Sequence, residues 1–243
     1  MHFLEINNEI KQRNVGGNMS TYVLTSMFHN GFHGRVSELF RRMIVSRNGF
    51  AFVASEFEKQ HETTDHYFTV FLNMFETCGI HFQDAYAVDG RMTRKEAQRA
   101  VEKADVVWLA GGDSPKQFRY LQSYGLDIVI KQHQGIIIGM SAGSINMAET
   151  AICTVSCGHD RQEIYKGLGC VKISVEPHID PNNLSGEVTE LSANHTIYGL
   201  CDESMIVCTD GTMEFVGDVY KIRDGHAERM AGTVKEKEYN EQN

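Results

Sequence analysis

Positive charge is scarce in this sequence. Its 23 lysines and arginines are outnumbered by 32 aspartates and glutamates, which gives a formal net charge of -9 at pH 7. Nucleic acids and anionic membrane surfaces attract basic proteins, so neither is expected as a partner. Long apolar runs are also missing, since no stretch approaches the roughly 20 residues that a membrane-spanning helix needs. The first residues lack the basic start, apolar stretch and small-residue cleavage site of a secretory signal, so a cytoplasmic location is expected.

The cysteines lack the regular spacing of a small disulfide-rich domain. Six are present, and they fall in apolar segments: Cys78, Cys153, Cys157, Cys170, Cys201 and Cys208. Buried free thiols in a reducing compartment are therefore expected. Cys153, Cys157 and His159 have part of the spacing of a zinc site, but the second half that such sites usually show is missing. The sequence accordingly predicts neither a metal nor another cofactor.

Length and pattern predict a single α/β domain. A chain of 243 residues suits one large domain, and short apolar, β-branched runs alternate with segments of helical period. That alternation is typical of a mostly parallel sheet with helices on both faces. We expect residues 1–18 to form an N-terminal extension, 19–230 the domain, and 231–243 a charged tail. Strand-like pieces after residue 150 predict a β-rich edge in the C-terminal part.

Most strands can be placed individually. The predicted strands are Thr21–Ser26, Phe50–Ala54, Phe82–Val88, Asp105–Ala110, Ile136–Met140, Val171–Val175, Met205–Cys208 and Met213–Val216. Apolar residues recur at helical spacing between the strands, as in Phe68, Phe71, Leu72 and Phe75, which we interpret as a stripe that faces the core.

The strand Ile136–Met140 leads into Gly139-Met140-Ser141-Ala142-Gly143, which matches the Gly-x-Ser-x-Gly nucleophile elbow. In this motif a sharp turn holds the serine in a strained conformation above the sheet edge, and small neighbours let strand and helix approach closely. The amide of Ala142, at a helix N-terminus, would point to a developing oxyanion. A serine that merely caps the helix is the structural alternative. The strand before it and the helix after it favour Ser141 as a nucleophile.

A serine hydroxyl needs a base, and histidine is the usual one. Of the 11 histidines, His178 is best placed because it follows a strand and a proline that fixes the turn. His159 and His195 lie in more polar segments. Gly111 and Gly112 end another strand, where open α/β sheets bind ligands, and glycine amides can approach an oxyanion closely. A plain tight turn is the alternative for these glycines, and a phosphate-binding loop is less favoured because its motifs are missing.

Together, these segments resemble the dipeptidase E and cyanophycinase family of serine peptidases. The resemblance covers residues 21–219. Its specific parts are the loop Ala110–Ser114, the elbow Gly139–Ser144 and the pair Pro177-His178. It implies a sheet like that of the class I glutamine amidotransferases and the hydrolysis of small or unusual peptides.

The resemblance also implies roles for individual residues. Ser141 would be the nucleophile and His178 the base. The amides of Gly111, Gly112 and Ala142 would form the oxyanion hole.

Asp113 departs from the family pattern, and the position of the third triad member differs among relatives. Relatives have asparagine where Asp113 stands, and its carboxylate would oppose an oxyanion if it pointed inward. Some relatives take the third triad member from a position between the serine and the histidine, which is Ser156 here. Others take an acid from a turn after the histidine, which here contains Glu203. We predict Glu203 as the acid, with Asp160 as the second candidate.

Two other functions fit part of the pattern. An α/β-hydrolase esterase would share the elbow and would place its histidine late, where His226 lies, but the early HGGG-type loop of such enzymes is missing. A binding protein that has lost catalysis would fit the change at Asp113. Oligomeric state is left open, with a homodimer as one arrangement.

Charge near the predicted site disfavours an acidic substrate. The family's best-known members bind the substrate carboxylate through arginine after the catalytic histidine. Here residues 179–195 contain no arginine or lysine, and they do contain Asp180, Glu187 and Glu190. Unless Arg119 reaches the site, we expect a small peptide with a neutral or basic N-terminal residue to be preferred over one that begins with aspartate.

Overall fold

The structure is a computed structural model that describes residues 20–235. The predicted N-terminal extension and most of the predicted tail lie outside the described residues. In chain order, the strands and helices are β1 Thr21–Thr25, α1 Gly34–Met43, β2 Gly49–Val53, α2 His61–Thr77, β3 Asp84–Val88, α3 Arg94–Lys103, β4 Val106–Leu109, α4 Ser114–Tyr124, α5 Leu126–Gln132, β5 Ile136–Met140, α6 Ala142–Met147, β6 Thr150–Cys153, β7 Glu163–Lys166, β8 Ser174–Pro177, α7 Gly186–Leu191, β9 Ile197–Leu200, β10 Met205–Thr209, β11 Thr212–Arg223 and β12 His226–Lys235. In this part of the chain, no helix is both long and apolar enough to cross a membrane.

A large mixed sheet organises the described residues. Its 10 strands include a path in the order β3-β2-β4-β5-β1-β10-β11-β9-β8, and β12 pairs with β11. The first five strands of that path run parallel. β10, β11 and β12 continue the sheet with antiparallel pairings. The predicted α/β class, with a mostly parallel sheet and a β-rich C-terminal edge, is therefore confirmed.

The parallel strands are buried on both faces because successive side chains point to opposite sides of a sheet. Trp108 of β4 packs on one side with Phe75 of α2, and its neighbour Val107 packs on the other side with Leu121 of α4. Helices α1 and α2 cover the first face, and α3 to α6 cover the second. Because both faces are packed, the sheet is a firm support for the residues that follow its strands.

Several strand ends meet at one edge of this sheet. β1 lies between β5 and β10, with Thr25 opposite Met140 in one pair and opposite Met205 in the other. Residues that follow β1 and β5 and residues that precede β10 are therefore neighbours. β8 ends at the same edge, where its last residue, Pro177, is followed by His178.

The C-terminal end of the sheet extends further than predicted. β11 and β12 form a long antiparallel hairpin whose second strand continues to Lys235, past residue 230, where the sequence predicted the end of the domain. Most residues of β12 are exposed, so the strand lacks the apolar alternation by which strands are recognised. Backbone pairing with β11, rather than burial, keeps β12 in the sheet.

Candidate active site

Ser141 joins β5 to α6 in a backbone conformation that L-residues rarely adopt. Its φ is 49° and its ψ is -105°, a combination that carries a steric cost. Two glycines allow this turn. A Cβ on Gly139 would lie 2.6 Å from the backbone of Gly143, and a Cβ on Gly143 would lie 2.3 Å from the carbonyl oxygen of Leu109. The strained turn and its close packing are what the Gly-x-Ser-x-Gly pattern predicts.

The Ser141 hydroxyl contacts a histidine instead of capping the helix. Its Oγ lies 2.9 Å from Nε2 of His178, which follows β8 and also has a positive φ, of 60°. On the other side of the ring, Nδ1 lies 2.7 Å from Oδ1 of Asp202. Since an ionised carboxylate can only accept a hydrogen bond, Nδ1 carries the hydrogen. Nε2 of the neutral ring is then free to accept the hydrogen of the Ser141 hydroxyl.

The carboxylate that contacts His178 belongs to Asp202, whereas the sequence analysis expected Glu203. Glu203 has a positive φ of 65°, and its Oε1 accepts a hydrogen bond from the amide of His29 at 2.8 Å. Asp160, the second candidate, lies at an exposed bend of the chain. The expected contact with His178 is thus made by the residue immediately before Glu203.

Two side chains that the sequence analysis missed hold Asp202 in place. The buried hydroxyl of Ser26 donates to Oδ1 at 2.6 Å, and Nε2 of His29 lies 2.8 Å from Oδ2. Burial favours the neutral carboxyl, but the hydrogen bonds from Ser26, His29 and His178 outweigh it and lower the pKa of Asp202 to about 2. Asp202 is therefore ionised at neutral pH.

The sheet topology could have indicated that Ser26 lies near Ser141. Ser26 follows β1 as Ser141 follows β5, and adjacent parallel strands bring the residues after them to the same edge. Besides holding Asp202, the Ser26 hydroxyl accepts a hydrogen bond from the amide of His178 at 3.1 Å. His29 lies three residues further on, in a loop whose path no pattern in the sequence indicates.

The loop of Gly111 and Gly112 passes beside the serine. A Cβ on Gly111 would lie 3.5 Å from Cβ of Ser141. Gly112 has a φ of 139°, and a Cβ there would lie 2.3 Å from Oγ of Ser55. Both glycines line the same cavity as Ser141 and His178. Only glycine fits the second position without a shift of the loop.

Ala142 and Asp113 each lie at the start of a helix. Ala142 is buried and is the first residue of α6, directly after Ser141. Asp113 caps α4, and its Oδ1 accepts a hydrogen bond from the Lys116 amide at 2.7 Å. The first turn of a helix stabilises a carboxylate. The Asp113 carboxylate therefore faces the amides of the first turn of α4.

The other candidates from the sequence lie elsewhere. Nε2 of His159 lies 2.9 Å from Oγ of Ser114. His195 follows α7, and His226 is the first residue of β12. All six cysteines lie in the described range and are free thiols, but only Cys78 and Cys153 are buried, whereas the sequence analysis expected burial for all six. Within residues 20–235, no group of three or more histidine, cysteine, aspartate or glutamate side chains is placed to hold a metal ion.

Two solved structures that are similar to this chain are described as peptidases. A peptidase from an acI-B1 Actinobacterium superposes with a TM-score of 0.68 at 12% identity, over 89% of this chain and 97% of that one. A peptidase E protein from Listeria monocytogenes EGD-e superposes with a TM-score of 0.58 at 17% identity, over 88% of this chain and 100% of that one. At such identities the likeness shows a shared fold. No curated protein matches the sequence.

The sequence itself gives the family. A model of peptidase family S51, the family of dipeptidase E, matches residues 36–216, which is most of the chain. The match spans the glycine loop, the elbow at Ser141, and His178 and Asp202, and it confirms the resemblance seen in the motifs. The chain belongs to peptidase family S51.

Proposed function

We propose that this peptidase is serine-type and hydrolyses small peptides through an acyl-enzyme formed on Ser141. The observation that carries the proposal is the chain of hydrogen bonds from Ser141 through His178 to Asp202, with spacings of 2.9 and 2.7 Å. A base in this position activates a weak hydroxyl nucleophile because it removes the proton as the oxygen attacks. The strained backbone at Ser141 and His178 supports the proposal, since such strain concentrates at functional sites.

In the proposed reaction, Nε2 of His178 takes the hydroxyl proton as Oγ of Ser141 attacks the carbonyl carbon of the peptide. The ionised Asp202 stabilises the imidazolium through Nδ1. His178 then gives the proton to the leaving amine, so the peptide bond breaks and an acyl ester remains on Ser141. A water molecule, deprotonated by His178, attacks that ester, releases the carboxylic acid and restores the serine.

A labelling experiment followed by a peptide screen tests the proposal. A fluorophosphonate probe should modify Ser141, and at least one class of dipeptide should be hydrolysed by the purified protein. A protein that takes up no probe would instead be a binding protein on this fold. Labelling of Ser141 with hydrolysis of p-nitrophenyl esters but of no peptide would favour an esterase.

The oxyanion hole of the proposed reaction consists of the amides of Gly111, Gly112 and Ala142. Donors placed where negative charge develops stabilise the tetrahedral intermediate, and loss of one donor commonly lowers kcat by about 10²–10³-fold. A substitution that shifts the loop should produce an effect of this size.

We expect Gly112→Ala to lower kcat/KM by about 10²–10³-fold, because its Cβ would collide with the side chain of Ser55 and displace the loop. Gly79→Ala is the matched control: Gly79 also has a positive φ, of 75°, but a Cβ there would meet nothing within 4 Å. The backbone conformation alone should cost Gly79→Ala about 1–2 kcal/mol of stability, and Gly112→Ala more, because its φ lies well beyond the left-handed helical region. Steady-state kinetics with thermal unfolding separates the two effects. An unchanged kcat/KM in Gly112→Ala would show that this loop does not contribute to the oxyanion hole.

A further inference from the structure

A cavity of about 320 Å³ opens beside Ser141, between the end of β2 and the start of α2. It lies at the small end of the range for ligand sites, which is about 300–1,000 Å³, so it fits one amino-acid residue rather than a folded chain. Much of its wall is apolar and comes from five residues: Met27, Phe52, Ala54, Ala110 and Met140.

One face of α2 supplies the opposite wall. Gln60 precedes the helix, and Thr63, Thr64 and Tyr67 follow at the spacing of a single helical face. Tyr67 is 37% exposed, so its ring stands at the solvent edge of the cavity. This face adjoins the core-facing stripe of the same helix, since Phe68 and Phe71 follow the buried Thr64 by four and seven residues. The helix therefore presents uncharged hydroxyl, amide and aromatic groups to the cavity.

The cavity contains little available charge. Of the described residues that line it, Glu56 alone carries a permanent charge. Its Oε2 is paired with Nζ of Lys116, and its Oε1 accepts hydrogen bonds from the Glu58 amide at 2.7 Å and the Tyr120 hydroxyl at 3.0 Å. Burial favours the neutral acid, but the hydrogen bonds from Lys116, Glu58 and Tyr120 outweigh it and lower the pKa of Glu56 to about 2.

His178 also lines a second, smaller cavity. This cavity measures about 180 Å³ and is lined by residues that include Ile179, Asp180 and Ser185. In the proposed reaction His178 protonates the leaving amine, so the leaving residue belongs on the histidine's side. The acyl residue stays bonded to Ser141, and of these two cavities the larger is the one that Ser141 and Gly111 line.

We infer that the larger cavity binds the side chain of the residue on the acyl side of the scissile bond, and that this side chain is apolar, of the size of leucine or phenylalanine. The inference rests on the proposed function. An acidic side chain would enter beside the ionised Glu56. A basic one would find both Glu56 oxygens already occupied and Lys116 beside them. An apolar side chain gains by leaving water for the apolar wall.

Binding and hydrolysis of one dipeptide series test the inference separately. The series has leucine as the leaving residue and Leu, Phe, Ala, Asp or Lys before it. On Ser141→Ala, calorimetry should give Kd values about 10- to 100-fold lower for Leu-Leu and Phe-Leu than for Asp-Leu and Lys-Leu. Equal Kd values, or no binding of Leu-Leu, would overturn the inference. Binding of Leu-Leu by Ser141→Ala without its hydrolysis by the unmodified protein would refute only the proposed function.

A pair of lysine substitutions locates the subsite. Thr63→Lys places a cation in the cavity, and Thr69→Lys adds the same charge to an exposed position of α2 outside it. Because a cation in the subsite would pair with an acidic side chain, Thr63→Lys should raise the affinity for Asp-Leu relative to Leu-Leu by about tenfold. Thr69→Lys should leave that ratio unchanged. The same ratio in both variants would show that this cavity is not the acyl-side subsite.

Discussion

Replacement of Ser141 by alanine is expected to lower peptide hydrolysis by about 10⁴–10⁶-fold, because the variant has no oxygen to attack the carbonyl. The fold should stay intact. Alanine fits the space of serine, the strained backbone is unchanged, and a single hydrogen bond to the half-exposed His178 is lost. The measurement is kcat/KM for the best dipeptide, together with circular dichroism and Tm.

Ser123→Ala is the matched control. Ser123 is exposed on α4 and its hydroxyl donates only to the carbonyl of Tyr120, so its removal should change neither rate nor Tm appreciably. A Ser141→Ala protein that kept even about a tenth of the activity would end the serine mechanism, since loss of a nucleophile removes far more than that.

Asp202→Asn should lower kcat/KM by about 10³–10⁴-fold with the fold preserved. An amide can donate to Nδ1 of His178, where the carboxylate only accepts. The ring hydrogen then moves to Nε2, which can no longer accept the proton of Ser141. The positive charge that forms on the ring also loses its counter-ion. The measurement is the pH profile of kcat/KM for the variant and for the unmodified protein.

Glu203→Gln is the control because it makes the same chemical change at the next residue. Its side-chain carbonyl can still accept the hydrogen bond from the His29 amide, so we expect a change of less than about threefold. Asp160→Asn should be similarly mild. A large effect of Glu203→Gln with a small effect of Asp202→Asn would restore the original assignment of the acid.

The strand before Ser141 and the strained turn at that residue could be predicted because they depend on local sequence. The strand Ile136–Met140 is a short, β-branched, apolar run, and its bounds agree with the structure. The turn at Ser141 needs small residues on both sides for steric reasons, so the motif itself predicts the local backbone conformation. His178, which contacts Ser141, was singled out from the strand and proline before it together with the family resemblance.

The carboxylate that contacts His178 could not be predicted to the residue. Asp202 and Glu203 are adjacent carboxylates in one turn, and which of them faces His178 depends on backbone angles that neither residue type dictates. Glu203 takes a positive φ that is unusual for it. Ser26 and His29 were missed for a related reason, because their contacts with Asp202 depend on pairing between β1 and β10, which lie far apart in sequence.

That long-range pairing also sets the point during synthesis at which the proposed site can be complete. Ser26 and Asp202, which share a hydrogen bond, are 176 positions apart, and the ribosome makes Ser141 well before Asp202. Until β10 emerges, β1 has no neighbour on one of its edges. Contacts between distant segments form late because a long loop must close first. A growing chain therefore contains Ser141 and His178 before it contains Asp202, and under the proposed mechanism we expect full activity only after the C-terminal strands have left the ribosome and paired.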